Sequence, residues 1–264
     1  MMICQHFLLE PTKEQEEKLF YTLYLCRKLY IKIKAHRDFD PTKVKTINIK
    51  YHTGKWYINL SVEIDVGEKE KASIGEKAIG IDKGINSIAA TSDGELYLNP
   101  RWLQKAEKKL KRLQRQLSRK KKGSKNREKQ KKRLAKLHEK VANQRRDYLH
   151  KISYNIVKNN DIICVEDLQV KSMMKNHKLA KSIANAGWGM LDKYLQYKAE
   201  RERKIFIKVN PAYTSQRCSR CGKIVEKDLS VRIHKCECGL EIDRDVNAAV
   251  NVLHEGLRQL GIAA

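Results

Sequence analysis

Four cysteines and three acidic positions are the side chains whose types and spacing could do chemistry. Cys218-Ser219-Arg220-Cys221 and Cys236-Glu237-Cys238 are two close thiolate pairs with 14 residues between them. Each pair is short enough to grip one ion, and four thiolates at ~2.3 Å around a tetrahedral centre describe structural Zn²⁺. With all four positions filled by protein, none is open to a substrate. The second pair has a tighter gap than the usual two residues, so His234 is a substitute ligand ranked behind the four cysteines. Residues 223–233 read as hairpin-like, which makes the unit a zinc ribbon. The acids are Asp82, closing the apolar run 78–82, Glu166, following Ile162-Ile163-Cys164-Val165, and Asp243 or Asp245, just before the apolar stretch 246–253. Strand ends and a helix start can converge at one edge of an α/β sheet. Carboxylates gathered there repel one another unless divalent cations neutralise them, and all-oxygen sites suit Mg²⁺ or Mn²⁺. Two such ions could hold a phosphodiester, activate water and stabilise the departing oxygen, with the acids as ligands rather than direct bases.

The elements that must position these groups follow from periodicity. Apolar runs at 78–82, 87–91 and 95–98, the last two around Ser92-Asp93-Gly94, predict three consecutive antiparallel strands. Two later runs, 162–165 and 205–209, are separated by a helical stretch over about 190–203, which predicts a crossover and parallel pairing. The sheet is therefore expected to be mixed α/β, with a helix beginning at Asp245 on whose N-terminus that carboxylate would sit. Ahead of it, residues 1–66 read as a small module: a strand at 3–9, a helix from Thr12 to about Ala35, and a hairpin turning at His52-Thr53-Gly54-Lys55. The charged segment 67–77 has no apolar period and reads as a linker. Cys4, Cys26 and Cys164 stand singly in apolar surroundings, as packing residues do.

Between the two halves of the sheet lies a basic arm. Leu103, Ala106, Leu110, Leu113 and Leu117 recur at steps of three and four, residues 119–124 break the stripe, and Leu134, Leu137, Val141 and Tyr148 resume it. Two antiparallel helices with a basic tip are expected over residues 101–160. Residues 101–147 hold 21 Lys or Arg against four acids, hence 17 of the formal net charge of +25. Like charges three and four apart destabilise a helix unless an anion offsets them, and a polyanion is the natural partner. Arg112, Arg115, Arg119, Lys120, Lys121, Lys122, Lys125 and Arg127 are the expected backbone contacts, with Gln216 and Arg244 as further candidates near the cysteines and the final acid. A chain of 264 residues with 41% hydrophobic content is long enough for a sizeable core, so this is not a disordered basic tail. It shows no apolar run long enough to span a bilayer and no secretory leader, so a soluble cytoplasmic protein is expected.

Four strings then resemble a known family: Gly80-Ile81-Asp82-Lys83-Gly84-Ile85, Val165-Glu166-Asp167-Leu168, Thr214-Ser215-Gln216-Arg217-Cys218-Ser219-Arg220-Cys221-Gly222, and Asp243-Arg244-Asp245-Val246-Asn247-Ala248-Ala249-Val250-Asn251. In continuous order over about residues 78–264, they look like the nuclease motifs of the TnpB (OrfB) proteins of insertion sequences, relatives of the type V CRISPR effector nucleases. The resemblance implies a RuvC-type, RNase H-like nuclease with catalytic, Mg²⁺-binding acids at Asp82, Glu166 and Asp245, Asp243 standing in reserve. It implies a guide RNA from the element's end and a target DNA cut beside a short adjacent motif. The implied division is an N-terminal wedge-like module at 1–67, a nuclease core at 68–212 that includes the arm, a zinc ribbon at 213–241 and a final nuclease segment at 242–264. The helical region between the first strand and the hairpin is shorter than the family's usual one.

The competing class is a nucleic-acid-binding regulator that occupies RNA and DNA without efficient cleavage. An integrase-like transposase is disfavoured by the acid order Asp, Glu, Asp. An ATP-driven motor is disfavoured because Gly75 and Gly80 have Walker-like spacing but Ile81 stands where the phosphate-binding Lys is required.

Overall fold

The computed structural model describes residues 41–52, 55–63, 77–228 and 231–262, with Glu14, Glu17 and Tyr21, which are helical. The expected strand at 3–9, most of the helix that follows it and the linker up to residue 76 lie outside the described residues, as does the Thr53-Gly54 turn. Strands β1 (Val44–His52) and β2 (Lys55–Val62) pair in a two-stranded sheet of their own. At its open end the Glu63 N–H donates to the Lys43 carbonyl at 2.9 Å, and Lys45 pairs with Glu63 at 2.7 Å.

The remaining described residues form a layered α/β unit. Its five-stranded sheet has the order β5-β4-β3-β6-β7, built from β3 (Ala78–Asp82), β4 (Ser87–Thr91), β5 (Leu96–Leu98), β6 (Ile162–Glu166) and β7 (Ile205–Val209). β4 runs antiparallel to both β3 and β5, whereas β3, β6 and β7 are parallel, as the crossover requires. β4 and β6 are buried at every position, which is why both are near-continuous apolar runs in the sequence.

The arm consists of α1 (Trp102–Ser118) and α2 (Lys125–Asn159). Its contacts run in opposite senses along the two helices: Trp102 meets Tyr148 edge-on at 5.4 Å, Gln130 donates to the Leu113 carbonyl, and Arg127 donates to that of Leu117. The pair is therefore antiparallel, with Leu110, Leu113 and Val141 buried in its seam. Ser124 caps α2 by accepting from the Arg127 N–H at 3.2 Å. The far half of α2 leaves the arm and becomes part of the core, where Leu149, Ile152 and Ile156 pack with Leu191 and Leu195 against Ile81, Ile163 and Val165. Those last two leucines belong to α5 (Trp188–Arg201), which with α3 (Val170–Met173) and α4 (His177–Ala186) makes the crossover from β6 to β7.

Alternate residues point to the other face, where Ile162 and Cys164 meet Val252 of α6 (Arg244–Gln259). This contact is closer than side chains allow. A Cβ on Gly80 would lie 2.0 Å from the Ala249 carbonyl oxygen, and one on Gly256 would lie 2.2 Å from Cys164 Sγ. The two glycines let the α6 backbone settle onto β3 and β6. No helix among the described residues is long and apolar enough to cross a membrane.

Candidate carboxylate centre and cysteine cluster

In the parallel register Ile81 pairs with Val165, so one residue further on Asp82 and Glu166 stand abreast at the carboxyl ends of β3 and β6. Their carboxyl groups are hydrogen-bonded to each other, and the Lys83 backbone N–H donates to both. Asp245 joins them from the first turn of α6, where its Oδ2 lies 3.9 Å from the position of a Cβ on Gly84. The three acids expected from the sequence are thus brought together at one sheet edge.

The helix start differs from expectation. α6 begins at Arg244, and its cap is Asp243, whose Oδ1 accepts from the N–H groups of Asp245 at 2.8 Å and Val246 at 3.2 Å. Asp243 closes β9 (Glu241–Asp243), which fixes its direction; the Asp245 side chain, released from capping, lies toward Gly84. Arg232 Nη1 approaches Asp245 Oδ1 at 4.0 Å.

Electrostatics here is unfavourable for three anions. Burial pushes the Asp82 carboxyl well above the usual range, and the charges of Glu166 and Asp245 push it further. Burial also raises Glu166, opposed by hydrogen bonds from Thr214 and Asp82 and by the Lys83 charge. Asp245 is raised by burial and by Asp243. The Thr214 hydroxyl donates to Glu166 Oε1 at 2.7 Å. The Lys83 ammonium is engaged elsewhere, at 2.8 and 2.9 Å from the two oxygens of Asp192. Carboxylate oxygens are the donors that hard divalent cations take, and the adjacent Asp82 and Glu166, with Asp245 near enough for its charge to raise Asp82, are the acids that could supply them.

The sulfur atoms of Cys218, Cys221, Cys236 and Cys238 all lie within 4.8 Å of one another, with Cys218–Cys238 at 3.6 Å and Cys221–Cys236 at 3.5 Å. Tetrahedral zinc with ~2.3 Å bonds needs sulfur separations of about 3.8 Å, so the donors fit. Two matching turns present them: the Gly222 N–H returns to the Cys218 carbonyl at 2.9 Å and the Gly239 N–H to the Cys236 carbonyl at 3.0 Å. Burial opposes ionisation of Cys218, yet N–H groups of Cys221 and Arg220, with the side chains of His234 and Cys221, hold its thiol down at about 6. Residues 229 and 230 of the hairpin expected at 223–233 lie outside the described residues. Arg217 bridges to Ile224 around the first turn, and the regular pairing is between β8 (Ile233–Lys235) and β9 around the second. His234 is fully buried beside this cluster, with Nδ1 against Lys227.

α6 ties the two centres together. Asn247 accepts from the Ser219 N–H at 3.0 Å and donates to the Arg217 carbonyl at 2.8 Å, while Asn251 donates to the carbonyls of Thr214 at 2.8 Å and Arg217 at 2.7 Å. Thr214, Lys83, Asp192 and the two asparagines were not singled out from sequence, although an acid on the buried stripe Trp188, Leu191, Asp192, Leu195, Ala199 was a visible signal.

Of the basic candidates, Arg112, Arg115, Arg119, Lys121, Lys122 and Lys125 are exposed along the arm, and Lys120 is partly so. Arg127 faces inward, donating to the carbonyls of Leu117 and Lys120 at 3.0 Å each, and closes the tip. Arg244 is buried and donates to the Asp228 carbonyl at 2.9 Å, with Ser215 Oγ at 3.4 Å. Gln216 is partly buried.

Comparison with known proteins places these centres in a family context. The OrfB_IS605 model, described as "Probable transposase", matches residues 60–177, and the "Cas12f1-like, TNB domain" model matches residues 188–252. A "Putative RNA-guided DNA endonuclease" of Streptomyces pristinaespiralis is 37% identical over 220 residues, covering 83% of this chain and 54% of that protein. "Putative RNA-guided DNA endonuclease InsQ" of Escherichia coli (strain K12) is 38% identical over 230 residues, covering 81% of this chain and 57% of its own length. The chain thus spans about half the length of the curated relatives it matches. In fold it is similar to a chain in the cryo-EM structure of a CRISPR-Cas12f ternary complex, at a TM-score of 0.50 and 22% identity over 75% of this chain and 42% of the other. The two family matches in succession, with these relatives, make the chain similar over residues 60–252 to the OrfB (TnpB) proteins of insertion sequences.

Proposed function

We propose that the chain is an RNA-guided, metal-dependent DNA endonuclease of RuvC type, with an RNase H-like core, associated with a transposable element. The observation that carries this reading is the convergence of Asp82, Glu166 and Asp245 at the carboxyl edge of two parallel strands. The names of its relatives support the choice of substrate and guide. Asp82, Glu166 and Asp245 would hold Mg²⁺ or Mn²⁺, which supplies Lewis acidity that makes bound water a nucleophile near neutral pH. The chain's own residues arrange that centre. Asp243 takes over the capping of α6 and leaves the Asp245 carboxyl group out of the cap, and Thr214 fixes one oxygen of Glu166, which is buried while Asp82 is partly open.

The four cysteines would hold Zn²⁺, whose chemistry here is bracing; Asn247 and Asn251 pass its rigidity to α6. The exposed lysines and arginines of the arm hold phosphates without reading sequence, and base pairing with the guide RNA selects the target, as in other guided nucleases. The N-terminal hairpin takes the wedge-like role. Such an enzyme works in the cytoplasm or nucleoid of a prokaryotic cell, where its DNA and guide are.

The test is cleavage of DNA matched to the RNA that copurifies with the protein, in Mg²⁺, with Asp82→Ala as control. Cutting by the wild type alone supports the reading. Intact DNA from both, with tight binding retained, sinks it in favour of a regulator that occupies DNA.

A further inference from the structure

The segment Asp82-Lys83-Gly84 carries one acid, lies beside Glu166 and runs near Asp245, and what holds it in place comes from a distant part of the chain. The Lys83 backbone N–H donates to the carboxylates of Asp82 and Glu166, while its side chain runs the other way into the core. There its ammonium is clamped by both oxygens of Asp192, with side chains 0% and 11% exposed. One turn earlier on α5, Trp188 Nε1 donates to the Gly84 carbonyl at 3.0 Å. Positions 188 and 192 share a helix face, so one rigid helix grips two consecutive residues of the segment. Asp192 also lies 3.7 Å from Lys208, which reaches Asp167 at 3.4 Å. Through Asp192, the residue after Asp82 is thereby linked to the residue after Glu166.

Stability alone does not account for this pair. Replacing a buried ion pair by apolar residues of similar size is often neutral or stabilising, so lysine and aspartate at two core positions call for a geometric role. We propose that Lys83 and Asp192 are the positioning residues of the carboxylate centre, holding the ends of β3 and β6 so that Asp82 and Glu166 face one divalent cation. The proposal rests on the reading of those acids as metal ligands. The groups that orient a metal's ligands typically govern its affinity by 10- to 100-fold.

The test uses the full chain with its ribbon loaded with zinc. The double variant Lys83→Met/Asp192→Leu replaces the pair by apolar side chains and leaves no buried charge behind. Its thermal unfolding without added Mg²⁺ or Mn²⁺ is expected to match the wild type, while Mn²⁺ affinity, followed by the free-ion electron paramagnetic resonance signal, falls about tenfold. The part of the signal lost in Asp82→Ala defines the site. Unchanged Mn²⁺ affinity overturns the proposal whatever the cleavage rate. Should the double variant melt early, Asp192→Asn, which keeps volume and a hydrogen bond to Lys83, is held to the same readouts: weaker Mn²⁺ binding at unchanged melting supports the pair's role, and unchanged binding ends it. A wild type that binds Mn²⁺ through Asp82 yet cuts no matched DNA refutes the nuclease reading and leaves this one standing. A wild type that cuts, beside a double variant that binds Mn²⁺ equally well, refutes only this one.

Discussion

Replacing Asp82 by asparagine should make the fold more stable when no magnesium is bound and remove the stabilisation that magnesium brings. All three carboxyl groups lie above their ordinary values, Asp82 most clearly, because burial disfavours each charged form and the charges of Glu166 and Asp245 raise Asp82 further. Between the ordinary and the raised value the folded chain binds more protons than the unfolded chain. Stability contributed by protonated Asp82 is therefore full below its ordinary value of 3.8 and is lost as pH rises through the raised one. A single group gives a slope of at most about 1.4 kcal/mol per pH unit. Salt-bridged acids slope the other way: hydrogen bonds from Lys111 and Lys181 hold Glu107 down at about 2. The quantity to measure is thus the difference between wild type and Asp82→Asn, by urea unfolding at a series of pH values without added magnesium, avoiding chelators that would strip the cysteines. The variant should gain on the wild type as pH rises above about 4. Magnesium at 100 times its dissociation constant should restore about 2.7 kcal/mol to the wild type and almost none to the variant. A difference that is flat in pH, or equal magnesium stabilisation of both proteins, would refute the argument that these acids are crowded for a cation.

Four further outcomes follow from the same geometry. Gly80→Ala places a Cβ 2.0 Å from the Ala249 carbonyl and 2.6 Å from the Leu253 nitrogen, so α6 must lift from the sheet; a loss near the upper end of about 1–3 kcal/mol is expected in thermal unfolding, with slower cleavage because Asp245 moves too. Thr214→Val removes the 2.7 Å hydrogen bond to Glu166, which favours that group's charged form, and should cost about 1.5–3 kcal/mol in unfolding at high pH and less as pH falls. Cys221→Ser should drop bound zinc, measured by atomic absorption, well below one ion per chain, and loosen residues 214–225 in hydrogen exchange. Neutralising Lys120, Lys121 and Lys122 together should weaken binding to every DNA sequence alike and flatten the log–log salt slope by up to about 0.9 for each phosphate no longer neutralised; an unchanged slope would take the tip out of the DNA-binding surface.

Much of the core was legible because its strands are short apolar runs, two of them, β4 and β6, buried throughout. Ala78–Asp82, Ser87–Thr91 and Ile205–Val209 fall where continuous apolar runs put them, and the arm's helices fall where its leucines recur. The acids were legible for a related reason: Asp82 and Glu166 end apolar runs, and parallel strands bring their carboxyl ends together. The rest was hidden by non-local pairing. Whether Asp243 or Asp245 caps α6 depends on β9 closing against β8, which fixes Asp243 and which no local pattern records. The ribbon's pairing has the same origin, since the cysteine turns choose where its described strands meet. The clamp between Lys83 and Asp192 spans 109 residues and leaves only an acid on an apolar helix stripe as its trace.

The same non-local contacts explain how a cysteine cluster with no open coordination position bears on the acids. α6 carries Asp245 at its start, and on the turns that follow Asn247 and Asn251 grip residues 214–219, the segment that supplies both Thr214 for Glu166 and Cys218 for the cluster. The ribbon, the hydroxyl that orients one acid and the helix that presents another are therefore joined by hydrogen bonds, and the glycines at 80 and 256 press that assembly against the strands bearing Asp82 and Glu166. Loss of zinc in Cys221→Ser should accordingly reach the carboxylate centre by loosening Thr214, even though no cysteine touches an acid. An effect of this kind scales with the mobility of residues 214–219, whereas the loss in Asp82→Asn is independent of it, so the two variants separate bracing from ligation.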